Sequence, residues 1–235
     1  MNSVLFLGLL IGMQHALEAD HVAAVSSIAA RESSAKKIVR QGVAWGIGHT
    51  VALLGGAGAV LVLGLNFGGQ LAGWLEFGVG VMLVGLGGHV LYRLRRERIH
   101  FHIHAHDDKR HFHAHSHADE KVRHELSGHE HDHSRRVPVR PLLVGVTHGM
   151  AGSAALLILT TATRSTVADG LIYIAVFGVG SIVGMGLLSA AIAVPFAYTA
   201  KYLNRANDVL QLVVGVVTIG LGSSIMLHQN LAVGL

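Results

Sequence analysis

The sequence predicts an all-α membrane protein, with six transmembrane helices arranged as two inverted three-helix repeats. Three observations lead there. Hydrophobic residues make up 51% of the chain and charged ones only 14%, whereas soluble domains run near a quarter charged. Six apolar stretches are long enough for the roughly 20 helical residues that a bilayer core demands. The last three stretches repeat motifs of the first three at a nearly constant offset.

The stretches run over 4–30, 41–65, 74–94, 141–163, 168–198 and 208–227. The first and fifth exceed what a bilayer needs, so they are expected to bend or to extend past it. Gly is abundant at 30 residues and Pro scarce at 3, which suits helices packing closely in lipid. Cys is absent, which excludes thiolate metal sites, disulfides and thiol redox chemistry. No Lys or Arg precedes the first apolar run, so the charged start of a cleaved signal peptide is not expected.

The basic residues set the orientation. Arg31, Lys36, Lys37 and Arg40 lie between the first two stretches. A second group, from Arg93 to Arg140, flanks and fills the third-to-fourth connection, and Lys201 and Arg205 follow the fifth stretch. Of 18 Lys and Arg, only Arg164 falls on the other side. The positive-inside rule makes those loops cytoplasmic and sends both termini outward. It also accounts for the net charge of +4 without a nucleic-acid partner. The expected setting is a plasma (inner) membrane, crossed several times, with the lipid bilayer as partner.

Residues 1–94 form the first three-helix repeat, 95–140 a connecting loop and 141–235 the second repeat. Leu9-Leu10-Ile11-Gly12-Met13-Gln14-His15-Ala16 matches Leu142-Leu143-Val144-Gly145-Val146-Thr147-His148-Gly149. Trp45-Gly46-Ile47-Gly48-His49 matches Phe177-Gly178-Val179-Gly180-Ser181, and Val79-Gly80-Val81 matches Val214-Gly215-Val216. The offsets are 133, 132 and 135. Three spans per repeat force the halves into opposite orientations, an architecture that places a substrate site near midplane between them. The symmetry is broken in the chemistry. His148 corresponds to His15, but Glu18, Asp20 and His21 become Ala151, Ser153 and Ala154, and His49 becomes Ser181.

The densest chemistry is His15-Ala16-Leu17-Glu18-Ala19-Asp20-His21, inside the first stretch. Ionisable groups at membrane depth are costly and mark function. His15 lies roughly 16 Å into the stretch at 1.5 Å per residue, close to midplane. On an unbroken helix His15, Glu18 and His21 share a side while Asp20 falls off it. His15 and His21 would then stand about 9 Å apart along the axis. Either the helix unwinds there, or other spans complete an ion site, with His49 and His148 as candidates. Imidazole with carboxylate suits Ni(II), Cu(II), Zn(II) and Co(II) better than K⁺, Mg²⁺ or Ca²⁺. Neutral imidazole binds metal and protonated imidazole does not, so binding would release protons. Hydrogen bonding between helices is the plainer alternative for any single one of these His residues. Glu76 and His89, near opposite ends of the third stretch, are candidates for an entry and an exit, or ordinary interfacial residues.

Most of the 18 His residues lie in the loop. They include His100, His102, His104, His106, His111, His113, His115, His117, His129, His131 and His133, interleaved with Asp and Glu. Such a segment lacks the apolar residues for a core and is expected to be disordered without metal. His-rich tracts bind transition metals such as Ni²⁺, Co²⁺ or Zn²⁺. A pH-titrating polar linker is the alternative.

The H-x4-D-H pattern of His15, Asp20 and His21 resembles the signature of the nickel/cobalt transporter family. Gly46-Ile47-Gly48-His49-Thr50 is similar to its second motif. Gly145-Val146-Thr147-His148-Gly149-Met150-Ala151-Gly152-Ser153 is similar to the six-span branch associated with urease accessory nickel permeases. The resemblance implies a secondary transporter for Ni²⁺ or Co²⁺ rather than an enzyme. Its metal contacts would be His15, Asp20, His21 and His49; the residues themselves add Glu18, on the side shared by His15 and His21, and His148, facing them from the other half. No catalytic residue and no resident cofactor are implied. Cytosolic nickel chaperones or a second copy of the chain are the partners to look for. Uptake is the expected direction, because efflux relatives tend to carry Gly before the second His, where this chain has Asp20. Export on the same scaffold, with the loop as collector, is the alternative. A zinc-dependent intramembrane hydrolase is a third reading, weakened by the absence of H-E-x-x-H. G-x4-G-K-[ST] is also absent, so the drive must come from the membrane potential, a coupled ion or a partner.

Overall fold

The computed structural model describes residues 2–30, 32, 34–64, 69–96, 102–106, 109–113, 138–163, 166–202 and 204–233. Among these, the chain forms α1 Asn2–His15, α2 Ala19–Ala29, α3 Ala35–Leu63, α4 Gly69–Arg96, α5 Val139–Thr163, α6 Val167–Tyr202 and α7 Asn204–Val233. A short antiparallel hairpin, β1 His102–His106 and β2 Lys109–His113, sits in the connection between α4 and α5. The protein is thus built of membrane-type helices. Ala35–Leu63, Gln70–Arg96, Val167–Phe196 and Ala206–Asn230 are each long and apolar enough to cross a bilayer.

From α3 onward each helix begins before the apolar stretch that predicted it, and α4, α6 and α7 also end beyond theirs, because flanking polar residues continue the backbone bonding past the apolar part. α3 ends where Gly64 turns left-handed (φ 63°) and its N–H returns to the Val60 carbonyl; glycine takes that conformation without a Cβ clash. The long fifth stretch stays one helix through Pro195, and the Thr199 hydroxyl bonds to the Pro195 carbonyl at 2.8 Å. The first stretch breaks. α1 stops at His15, and α2 starts at Ala19 with Glu18 in an extended conformation as its N-cap (φ −62°, ψ 149°). Of the alternatives the sequence left open, the unwinding thus occurs, and it lies inside the H-x4-D-H segment.

Large apolar side chains such as Val51, Val62, Val81, Leu187, Val194 and Val217 face outward, as a bilayer solvent allows. The interior is made of small residues and a few large ones, among them Trp45, Leu53, Leu83, Ile174 and Met185. Glycines carry the helix crossings. A methyl group on Gly12 would collide with the Phe177 carbonyl, and one on Gly145 with the Trp45 carbonyl. Gly180 lies against the Leu9 carbonyl, and Gly48 against that of Leu142. Gly184 meets the Ala16 methyl, and Gly149 that of Ala52. Each member of these pairs stands 132 or 133 residues from its counterpart, so the contacts repeat with the offset seen in the sequence.

The same contacts give helix directions. Along α3 and α5, Trp45 meets Gly145 and Ala52 meets Gly149, so the two helices run parallel. So do α1 and α6, where Gly8 meets Tyr173 and Gly12 meets Phe177. α3 opposes α6, from Gly42 beside Ser189 to Gly58 beside Leu171, and Thr50 Oγ1 donates to the Gly178 carbonyl at 3.0 Å between them. α4 opposes α7, with Gly80 on Gly222 and Gly87 on Gly215. α2 is tied to α7 by a buried bond between Ser27 Oγ and Thr218 Oγ1 at 2.9 Å.

Regular structure was not expected in the 95–140 loop without metal, yet His102 pairs with His113 and His104 with His111 along the hairpin. His100, His115, His117, His129, His131 and His133 lie outside the described residues, and so does the disorder expected for that part of the loop.

Candidate metal centre

Four helices deliver one histidine cluster. His15 is the last residue of α1, His21 sits in the first turn of α2, His49 is mid-α3 and His148 lies in the first half of α5. The break between α1 and α2 removes the axial separation that a straight helix would impose. His15 and His21 rings stand 4.5 Å apart, His15 and His49 5.3 Å, His21 and His49 5.3 Å, and His21 and His148 4.1 Å. His21 and His49 are fully buried and His148 nearly so.

The carboxylates are arranged around these rings. Glu18 Oε1 accepts from His15 Nδ1 at 2.8 Å. Asp20 Oδ1 accepts from His21 Nδ1 at 2.9 Å and from the His21 backbone N–H at 2.8 Å. Asp20 Oδ2 takes a third bond, from His148 Nε2 at 3.1 Å. A carboxylate is an acceptor only, so each bonded ring nitrogen carries the proton and the other nitrogen of that ring holds a lone pair. The lone-pair nitrogens are His15 Nε2, His21 Nε2 and His148 Nδ1. All three are buried without a hydrogen-bond partner among the described residues, as are both nitrogens of His49.

Orphaned buried polar atoms are rare in native proteins. Five in one cluster fit a centre made to receive a cation. One nitrogen each from His15, His21 and His49 lies within 4.8 Å of the other two, and so do ligand atoms of Asp20, His21 and His148. Two donors on one ion stand at most about 4.2 Å apart when metal–nitrogen distances are near 2.1 Å, so small side-chain movements suffice. The carboxylate-to-histidine arrangement is the one that orients metal-binding imidazoles. The C-terminal end of α1 also points its negative pole at the centre.

A cavity of about 790 Å³ reaches the cluster. His15, Glu18, Asp20, His21 and His148 line it, with Glu76 and Val79 of α4, Phe177 of α6 and Ile225 of α7. A hydrated ion with six waters, at about 30 Å³ per water, has ample room. Glu76 and Val79 lie in the first half of α4, Phe177 in the first half of α6, and Ile225 in the last third of α7. These parts adjoin the connections that lack the basic clusters, so the cavity leads away from the basic loops.

Of the residues singled out in the sequence, His15, Asp20, His21, His49 and His148 come together. Glu18 joins through His15 and is half exposed at 57%. Glu76 lines the cavity and accepts a hydrogen bond from Gln229 Nε2 of α7. His89 is exposed near the C-terminal end of α4 and is not among the residues lining the cavity. Asp20, expected to fall off the histidine side, stands at its middle, because the break turns α2 relative to α1. Sequence reasoning passed over two aromatic neighbours: Trp45 stacks on His21 at 5.4 Å, and Phe177 lies 5.3 Å from His15. The repeat alignment had already paired those two positions.

No protein-family model matches the chain, and no solved structure matches it. Over 236 residues it is 32% identical to the urease accessory protein UreH of Bacillus sp. (strain TB-90), an alignment that spans 99% of this chain and 94% of the relative.

Proposed function

The chain belongs to the nickel/cobalt transporter family, on the branch of the urease accessory protein UreH, and from that membership we propose that it is a secondary transporter carrying Ni²⁺, with Co²⁺ as second substrate, into the cell. The observation that carries the proposal is the state of His15 and His21. Each has Nδ1 fixed by a carboxylate and Nε2 buried, without a hydrogen-bond partner among the described residues, and its ring lies close to that of His49. In this reading the ion sheds water to His15, His21 and His49. Asp20 holds His21 and His148 and supplies negative charge beside the ion, and Glu18 does the same for His15. Imidazole-rich donors with a carboxylate favour Ni²⁺ and Co²⁺ over Mg²⁺ and Ca²⁺.

The transport reading also draws on the paired glycine contacts, which support two inverted three-helix repeats with α1 and α2 together forming the first of six spans. Rocking of one repeat against the other would open the centre to each side in turn. The cavity leads away from the basic loops, the face that the positive-inside rule sets outside the cell. Glu76 stands along this route and would attract cations. A membrane potential, negative inside, favours entry by about 2.3 kcal/mol per charge per 100 mV. The His-rich loop would meet the ion in the cytosol and buffer it. An accessory role in urease assembly fits delivery of nickel to cytosolic carriers.

The test is ⁶³Ni²⁺ accumulation at trace metal in cells carrying the intact protein, His21→Ala or a deletion of 100–133. The intact protein is expected to raise accumulation and His21→Ala to abolish the increase, while the deletion leaves transport through the membrane standing. Accumulation below that of empty cells would mean export. Accumulation equal to that of empty cells would remove nickel as the substrate.

A further inference from the structure

We propose that Trp45 and Phe177 are the two gates of this centre, Trp45 closing it toward the basic loops and Phe177 bordering the route that is open on the other side. The proposal builds on the alternating-access reading above. The two residues occupy corresponding positions in the repeats, 132 apart. Their backbones make corresponding contacts, Trp45 with Gly145 and Phe177 with Gly12. Their rings flank the same cluster: Trp45 lies over His21 at 5.4 Å and 27°, and Phe177 lies 5.3 Å from His15.

Their surroundings differ. Phe177 lines the cavity. Trp45 does not; it is fully buried, in the same core cluster as Ala16, Ala24, Val25, Leu83 and Met185. Both rings are buried, but only Phe177 borders the cavity, so the two related positions differ in access as inverted repeats do when one side is open and the other shut. Exchange of the two conformations would close the cavity beside Phe177, which is already buried next to His15, and turn Trp45 to line a path toward the basic loops.

That path is already marked by polar atoms. Gln41, Trp45 and His49 follow one another at four-residue spacing, on one face of α3 leading from the basic loop to the cluster. Gln41 Oε1, Trp45 Nε1 and both His49 nitrogens are buried without a hydrogen-bond partner among the described residues. Ser189 Oγ of α6, which faces Gly42, is in the same condition. Such groups need water or an ion in some state of the protein, and a hydrated path along this face supplies it.

The chain has no cysteine, so single cysteines report access directly. Gln41→Cys is labelled with a membrane-impermeant maleimide in inverted membrane vesicles without added metal. Ile11→Cys, in the cavity lining, is labelled in intact cells. With Trp45 in place, Gln41→Cys is expected to react slowly. Trp45→Ala should speed it about ten-fold or more, the size of change that a shift of one gate makes in a minor open population. Trp45→Phe should keep it slow, and Ile11→Cys should react at the same rate in all three. If Trp45→Ala does not reach the membrane, Trp45→Leu, which keeps apolar volume without the planar ring, carries the same expectation. Equal labelling of Gln41→Cys with and without Trp45 overturns the proposal. Because no metal is used, its failure is separate from a failure of the nickel assignment, which the ⁶³Ni²⁺ experiment alone decides.

Discussion

Asp20 holds two histidines with one carboxylate, through Oδ1 to His21 and Oδ2 to His148. Asn in its place keeps a single acceptor oxygen, so one of the two rings loses its anchor and the centre loses a negative charge. Asp20→Asn is therefore expected to weaken Ni²⁺ binding about 10- to 100-fold, the usual effect of removing an orienting partner of a metal-binding imidazole. Glu18→Gln should cost less, because the Glu18 side chain is 57% exposed and water competes for His15 Nδ1. Calorimetric titration of the purified protein with Ni²⁺ checks both, and a larger loss for Glu18→Gln would reverse the ranking. The four histidines were legible in the sequence as ionisable groups at membrane depth. The role of Asp20 was not, because a straight helix would have pointed it elsewhere.

At the scale of elements, the break in the first span and the glycine crossings decide whether the histidines meet. The break had no glycine or proline to announce it; Ala16, Leu17 and Glu18 form it. What the sequence offered was a distance, about 9 Å between His15 and His21 on a straight helix, too long for one ion without a break or help from other spans; the structure has the break, and it brings His49 and His148 beside the pair. The glycine crossings were legible as a repeat, but not as carbonyl-to-glycine contacts, since those depend on which helix faces which. They make a sharp prediction. A methyl group on Gly145 would collide with the Trp45 carbonyl and come within 2.9 Å of the His49 backbone nitrogen. Gly145→Ala must then push α5 from α3, at a cost of about 1–3 kcal/mol for overpacking, and separate His148 from His49. Gly55 of the same α3 has nothing within 4 Å of that position. Gly55→Ala should stabilise by up to about 1 kcal/mol through helix propensity. Thermal unfolding in detergent is expected to rank Gly55→Ala at or above the parent protein and Gly145→Ala below it. Only Gly145→Ala should also lose Ni²⁺ binding.

At the scale of the whole molecule, the directions of the helices bear on how the chain threads the bilayer. α3 runs parallel to α5 and antiparallel to α6, and α4 runs antiparallel to α7, directions that six alternating crossings would require. The apolar stretches and the distribution of Lys and Arg predict six such crossings, because bilayer thickness and leaflet charge act on sequence directly; among the described residues four helices are long and apolar enough to cross a bilayer. Which side of the centre is open was beyond them, because both repeats carry an aromatic residue at the same place. The threading can be tested at its turns. Lys37, in the first turn of α3, and Thr166, just before α6, are both exposed. If the crossings alternate, Lys37→Cys reacts with an impermeant maleimide only in inverted vesicles, and Thr166→Cys only in intact cells. Labelling of both from one side would break the six-span threading, and with it the argument that the cavity leads to the outside. Labelling of each from the side opposite to that expected would keep the fold and reverse the orientation. The Glu76 route would then face the cytosol, and the same histidine centre would be filled from within.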